Sequence, residues 1–104
     1  MILEQAILNI KAGKSAEFEK AFSDAQEIIK SAKGYISHNL QRSIDSADRY
    51  LLLIKWQTIN DHVNGFRNSP EYQNWKKLLH DFYQPFPEVV HFEKIENLSS
   101  ELIL

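Results

Sequence analysis

The sequence predicts an α+β domain of order β-α-β-β-α-β: a four-stranded antiparallel sheet with two helices on one face. Two observations carry this reading. Strand-length segments with two-residue alternation bracket two longer segments whose apolar residues recur at three- and four-residue steps. Each change of period falls at a cluster of Gly, Pro, Asp or Ser that turns the chain. A length of 104 residues is that of one domain, and 43% hydrophobic with 25% charged residues, three glycines and three prolines is the balance of a folded chain, neither disordered nor fibrous.

The first strand, Leu3 to Ile10, sets Ala6, Leu8 and Ile10 on one face and Leu3, Gln5, Ile7 and Asn9 on the other. Lys11-Ala12-Gly13-Lys14 is a turn, and Ser15 is placed to cap a helix whose first turn carries Glu17 and Glu19 near the positive end of its dipole. Phe18, Ala21, Phe22, Ala25, Ile28, Ile29 and Ala32 form one inward stripe, and Gly34 stops the helix where a left-handed residue is cheapest.

In the second strand, Tyr35 to Arg42, simple alternation puts Ile36, His38 and Leu40 opposite Tyr35, Ser37, Asn39 and Gln41. After the Asp45-Ser46-Ala47-Asp48 turn, the third strand, Arg49 to Gln57, is apolar on both faces. Thr58 and Asp61 resemble a capping box for a short helix with Ile59, Val63 and Phe66 inward. Ser69-Pro70 restarts the helix as cap and first position, and Tyr72, Trp75, Leu78, Leu79 and Phe82 continue the stripe. Gln84-Pro85-Phe86-Pro87 ends it before a last strand, Val89 to Ile95.

This order is the ferredoxin-like one, in which two helices cover a single side of the sheet. An oily third strand then requires cover on the free side, most simply by a second copy around a twofold axis. The domain spans residues 1–96, and the tail 97–104, ending Leu102-Ile103-Leu104, is expected to pack on the neighbouring subunit.

The net charge of −2, with basic residues scattered among acidic ones, removes the usual driver of nucleic-acid binding. With no cysteine there are no disulfides or thiolate metal sites. The longest wholly apolar run, Leu51 to Ile54, is far too short to cross a membrane, and no signal core follows Met1, so the expected compartment is the cytoplasm. The four histidines show no HxxxH or HxH spacing, so no metal is expected.

Beyond the element order, the segments "GYISHNL", "RYLLLIKWQT", "SPEYQNW" and "LLHDFYQPFPEVVHFEKI" resemble the antibiotic biosynthesis monooxygenase family of dimeric α+β barrels, from Ile2 to about Glu96. The resemblance implies a homodimer whose sheets face each other, with a small-molecule cavity in each subunit between helices and sheet. Relatives of this kind oxygenate phenols or quinols without metal or flavin, or degrade haem. The positions that the haem-degrading relatives fill with Asn, Trp and His hold Ala6, Phe66 and either Trp75 or Lys76 here, so haem cleavage of that type does not carry over.

Cofactor-free oxygenation needs a base for the phenol, hydrogen bonds for the resulting anion and a dry aromatic pocket for dioxygen. His62 and His80 are the candidate bases, with Arg67, Trp75 and Tyr83 as substrate-binding groups. Each has a plainer reading. His62 would be a boundary histidine, His80 would favour the carboxyl end of its helix, Trp75 would be core, and Arg67 would pair with Glu71 at i+4. Across a barrel dimer, strand four of one chain approaches strand two of the other, which would bring His91 against His38 at the interface. The expected function is a cofactor-independent, monooxygenase-like oxidoreductase acting with dioxygen on a small aromatic or quinol; the alternative is a non-catalytic small-molecule-binding barrel.

Overall fold

The computed structural model describes residues 1–100. Four strands, β1 (Ile2–Asn9), β2 (Tyr35–Arg42), β3 (Arg49–Trp56) and β4 (Val89–Phe92), form one sheet in the order β2-β3-β1-β4 with every neighbour antiparallel. Helices α1 (Ser15–Lys30) and α2 (Pro70–Leu79) cover one face. The expected α+β class and strand order are what the chain adopts. Among the described residues, no helix is long and apolar enough to cross a membrane.

Directly opposed residues in a ladder share a face, so the register defines rows across the sheet. One row on the helix side runs His38, Ile54, Glu4, His91 over all four strands, and the next runs Leu40, Leu52, Ala6, Val89. The core sits between these rows and the helices: Phe18, Phe22, Ala25 and Ile29 of α1 and Trp75 and Leu79 of α2 close on Leu8, Tyr50, Leu52, Ile54 and Trp56. The expected stripe of α1 is thus the buried one, with Ala21, Ile28 and Ala32 at its margin.

Four local expectations change. Ser15 does not cap α1; its hydroxyl donates to Asp48, which also accepts the Gly13 N–H, so the turn before α1 is tied to the β2–β3 turn. A bulge between Tyr35 and Ser37 resets β2, turning Tyr35 to the helix face beside His38 and Leu40. β4 stops at Phe92, because Phe92 already faces Leu3 and β1 has no length left to pair Ile95. Ile95 and Leu98 are exposed beyond it, and the Leu102-Ile103-Leu104 end of the tail lies outside the described residues.

The fourth change matters most. Thr58 and Asp61 do exchange bonds, the Asp61 N–H donating to Thr58 Oγ1 at 3.1 Å and the Thr58 hydroxyl to Asp61 Oδ2 at 2.9 Å. The turn that follows, Asp61–Gly65, is π-wound. Its wider turn abandons the 3.6-residue period, so His62 and Phe66 are buried while Ile59 is exposed. Ser69 then caps α2, accepting the Tyr72 N–H, as expected.

Gly34 positions this turn. Its φ is +83°, and a Cβ there would come within 2.3 Å of the Asp61 carboxyl group. Gly34→Ala is expected to cost about 2–4 kcal/mol in urea denaturation, from left-handed strain and overpacking together. A second change, Asp61→Ala, should recover only a fraction of the steric part, because the Asp61 Cβ it keeps lies 2.6 Å from the same point.

A candidate active site around a buried carboxylate

Glu4 stands on the helix face of the central strand β1, in line with Ala6 and Leu8, and is only 6% exposed. A carboxylate taken out of water needs donors. The indole Nε1–H of Trp56 donates to Glu4 Oε1 at 2.9 Å. His62 Nε2 lies 3.3 Å from the same oxygen. The π-wound turn delivers this imidazole, which stacks on Trp56 at a centroid distance of 5.3 Å and an interplanar angle of 17°. On its other side, His62 Nδ1 is 2.9 Å from His91 Nε2. Glu4, His62 and His91 therefore lie in a chain, His62 hydrogen-bonded to His91 and in close approach to Glu4. Among the described residues Glu4 Oε2 has no hydrogen-bond partner, and no three His, Asp or Glu side chains are placed to hold a metal ion.

Glu4 forms part of the wall of a cavity of about 370 Å³ between helices and sheet. The sequence-predicted His62, Arg67, Trp75, His80 and Tyr83 all line the same cavity. Tyr83 is set there by the segment after α2, which is stitched to the end of β1: the Lys11 N–H donates to the Phe82 carbonyl and the Gln84 N–H to the Asn9 carbonyl, each at 2.8 Å. His80 meets Phe86 edge-on at 4.8 Å, and Phe86, 62% exposed, is the least covered of the lining groups. Arg67 forms no salt bridge among the described residues, so the expected pairing with Glu71 is not made and its guanidinium faces the cavity uncompensated.

Burial governs the protonation states. It pushes Glu4 up to about 7, outweighing the Trp56 bond and the Arg67 charge, which pull the other way. It also pushes His62 down to about 3, assisted by Arg67 and His91. At neutral pH His62 is thus an uncharged imidazole, and its 3.3 Å approach to Glu4 is not an ion pair. His91 is lowered by burial and Arg67, His80 by burial and Lys76, and Tyr83 is raised by burial, Tyr72 and Glu4.

The two histidines expected at a subunit interface are both engaged within the chain. His38 sits 2.6 Å from the Tyr35 hydroxyl and 3.1 Å from Gln26 Oε1, near Phe22, and His91 is bound to His62. They lie in one row but at opposite sheet edges, both on the helix-covered face. The expected contact of His38 with His91 lies between two chains, and within this one each ring has its own partner. Glu4 is the group that sequence reasoning missed. Its signal was a lone charge sharing the inward face of β1 with Ala6, Leu8 and Ile10.

The antibiotic biosynthesis monooxygenase family model matches residues 1–78, three quarters of the chain. The chain belongs to the antibiotic biosynthesis monooxygenase family. The uncharacterized Bacillus subtilis protein YczJ is 52% identical over 95 residues, covering 91% of this chain and 100% of that one. A Bordetella bronchiseptica structure assigned to the same family superposes with a TM-score of 0.86 at 33% identity, over 90% of this chain and 96% of the other. SnoaB, a cofactor-independent oxygenase from Streptomyces nogalater, shares the fold with a TM-score of 0.80 at 18% identity, over 95% of this chain and 97% of its own.

The raised Glu4 has a consequence for stability in this family member. Between the ordinary carboxyl value of 4.5 and about 7 the unfolded chain ionises Glu4 while the folded chain keeps the proton. Its contribution is therefore fully present below 4.5 and is lost as pH rises through 7. Glu4→Gln carries no such penalty. The difference in unfolding free energy between Glu4→Gln and wild type should move by about 3 kcal/mol in favour of the variant from pH 4.5 to pH 8, read by denaturant titration at each pH.

Proposed function

We propose that this protein is a cofactor-independent, monooxygenase-like oxidoreductase acting on a small phenol or quinol, with Glu4 as the base. The observation that carries the reading is a buried carboxyl group that lines an aromatic-walled cavity, its Oε2 without a hydrogen-bond partner among the described residues. A base near 7 is better matched to a phenol than an ordinary carboxylate. His62, held near 3, is too weak a base to serve alone. The fold shared with a cofactor-independent oxygenase supports the same class.

Glu4 Oε2 takes the phenol proton, and Arg67 holds the phenolate that forms. The substrate supplies the electrons: the phenolate ring reduces dioxygen and a ring carbon bonds to one oxygen atom. Glu4 returns its proton to the outer peroxide oxygen. Loss of the ring hydrogen with cleavage of the O–O bond then gives a quinone and water. In sum, a phenol and dioxygen become a quinone and water, with Glu4 restored. Trp75 and Tyr83 pack against the ring, and His80 with Phe86 borders it.

Oxygen consumption and quinone absorbance with a panel of hydroquinones, naphthols and polyphenols test this. Glu4→Gln is expected to lower kcat/KM by roughly 10²–10⁴-fold, and Arg67→Met to weaken it through the anion. Undiminished turnover in Glu4→Gln would reject the base assignment. Thermal stabilisation by the same compounds without oxygen uptake would identify a binding module instead.

The reading includes a homodimer. The sheet face away from the helices carries Leu3, Ile7, Leu51, Leu53, Val90 and Phe92, with Ile7 43% and Phe92 50% exposed. A second copy set face to face would cover this surface. Sedimentation at micromolar concentration should show a dimer, and Ile7→Lys combined with Phe92→Lys should give a folded monomer by circular dichroism. A compact wild-type monomer would remove the dimer from the reading.

A further inference from the structure

We propose that His62 and His91 form a proton conduit between the buried carboxyl group of Glu4 and solvent at the β4 edge, so that one proton lost at His91 arms Glu4 while the cavity is occupied. This deepens the reading of the same site and rests on it for the use made of the armed carboxylate.

Two proton arrangements fit these spacings, a small turn of the His62 ring or of the carboxyl group closing the 3.3 Å approach into a hydrogen bond in each. In the first, Glu4 is protonated and donates from Oε1 to His62 Nε2, His62 Nδ1–H donates to His91 Nε2, and His91 carries its proton on Nδ1. In the second, Glu4 is ionised and accepts from His62 Nε2–H, His91 Nε2–H donates to His62 Nδ1, and His91 Nδ1 is bare. The first holds three protons on the three groups and the second two. Passage between them moves the Glu4 proton to His62 Nε2 and the His62 Nδ1 proton to His91 Nε2, and releases the His91 Nδ1 proton to water. No imidazolium accumulates and the His62–His91 hydrogen bond is kept in both. An isolated contact between a histidine and a carboxyl group would not have this property; it requires the third member and the 2.9 Å spacing of the two rings.

The ends of the chain suit the purpose. Glu4 Oε1 is committed inward by Trp56 as well, which leaves Oε2 to the cavity. His91 lies on an edge strand, is partly exposed, and its Nδ1 has no partner among the described residues. The groups facing the chain are Trp56 from β3, Arg67 from the turn after His62, Tyr72 from α2, and His80 and Tyr83 from the segment beyond it. Of these only Arg67 carries a fixed charge, and it favours the ionised carboxylate. A ligand filling the cavity covers Oε2 and leaves His91 open, so Glu4 keeps its exchange with water when the direct route is closed.

The test needs no substrate. Nitrogen NMR of ¹⁵N-histidine-labelled protein, with ring signals assigned by single His62→Phe and His91→Phe variants, reports which nitrogen of each ring carries the proton. Carbon NMR of labelled glutamate reports Glu4. Between pH 6 and 8.5 both rings should exchange their protonated nitrogen, Nδ1 below and Nε2 above, at one midpoint shared with Glu4. In Glu4→Gln, checked for an unchanged fold by its amide spectrum, the exchange should vanish. Rings that keep one tautomer while Glu4 titrates, that charge independently, or that still switch in Glu4→Gln would overturn the conduit. A coupled switch in a protein that consumes no oxygen would leave the conduit standing and sink the oxygenase reading; oxygenase activity with uncoupled rings would do the reverse.

Discussion

Glu4 is a carboxyl group on the apolar side of a central strand, and most of the site's construction answers the cost of holding it there. Desolvation opposes its charge by several kcal/mol, and only hydrogen bonds to the ionised or neutral group offset that. Trp56, on the neighbouring strand, supplies one bond from a fully buried indole. A second polar neighbour, His62 at 3.3 Å, lies outside the sheet and has to be brought in by a turn of unusual width, itself begun by the Thr58 and Asp61 bonds and seated against Gly34. Stacking on Trp56 fixes the plane of the ring, so one residue both bonds the carboxylate and orients the imidazole beside it.

The strand order makes this economical. Because β1 is central, its helix-facing residues have a neighbour on either side, and Glu4 lies between Ile54 and His91 in register. The apolar neighbour keeps water out from one direction, and the titratable one leads to an edge in the other. A sheet with β1 at its border would have exposed Glu4 and lowered its proton affinity toward the ordinary range. The bulge in β2 plays a parallel part at the far edge. It brings Tyr35 to the same face as His38, whose ring is then bonded by Tyr35 and Gln26 and kept apart from the cavity.

The element order, the stripes of both helices and the Ser69-Pro70 start were legible because periodicity and caps are local properties. His62, Arg67, Trp75, His80 and Tyr83 were singled out for the chemistry that the family resemblance implies, and they converge on one cavity. What was not legible depends on departures from an ideal period. A π-wound turn shifts which residue points inward, so His62 was placed at a border when it belongs inside. A bulge does the same for Tyr35. Ser15 reads as a cap, but a carboxylate 33 residues away competes for its hydroxyl. Glu4 was visible as a charge in an inward series, yet its partners come from β3, a turn and β4, and only the register joins them.

Arg67 decides how these parts work together. Without a carboxylate partner of its own, it acts on Glu4, His62 and His91 at once. Its charge pulls Glu4 down against burial, which keeps the carboxyl group near 7 instead of permanently neutral. The same charge discourages either histidine from becoming an imidazolium, which is what the proposed conduit requires of both rings. When an anionic substrate approaches the guanidinium, part of that field is cancelled and Glu4 binds its proton more tightly. In the proposed reaction, deprotonating the phenol and holding its anion would be coupled through one cation: the charge that leaves the carboxylate would appear on the ring beside Arg67, with the pocket's net charge unchanged across the step. In a cavity of low dielectric, that constancy is what makes proton abstraction by a buried carboxylate feasible.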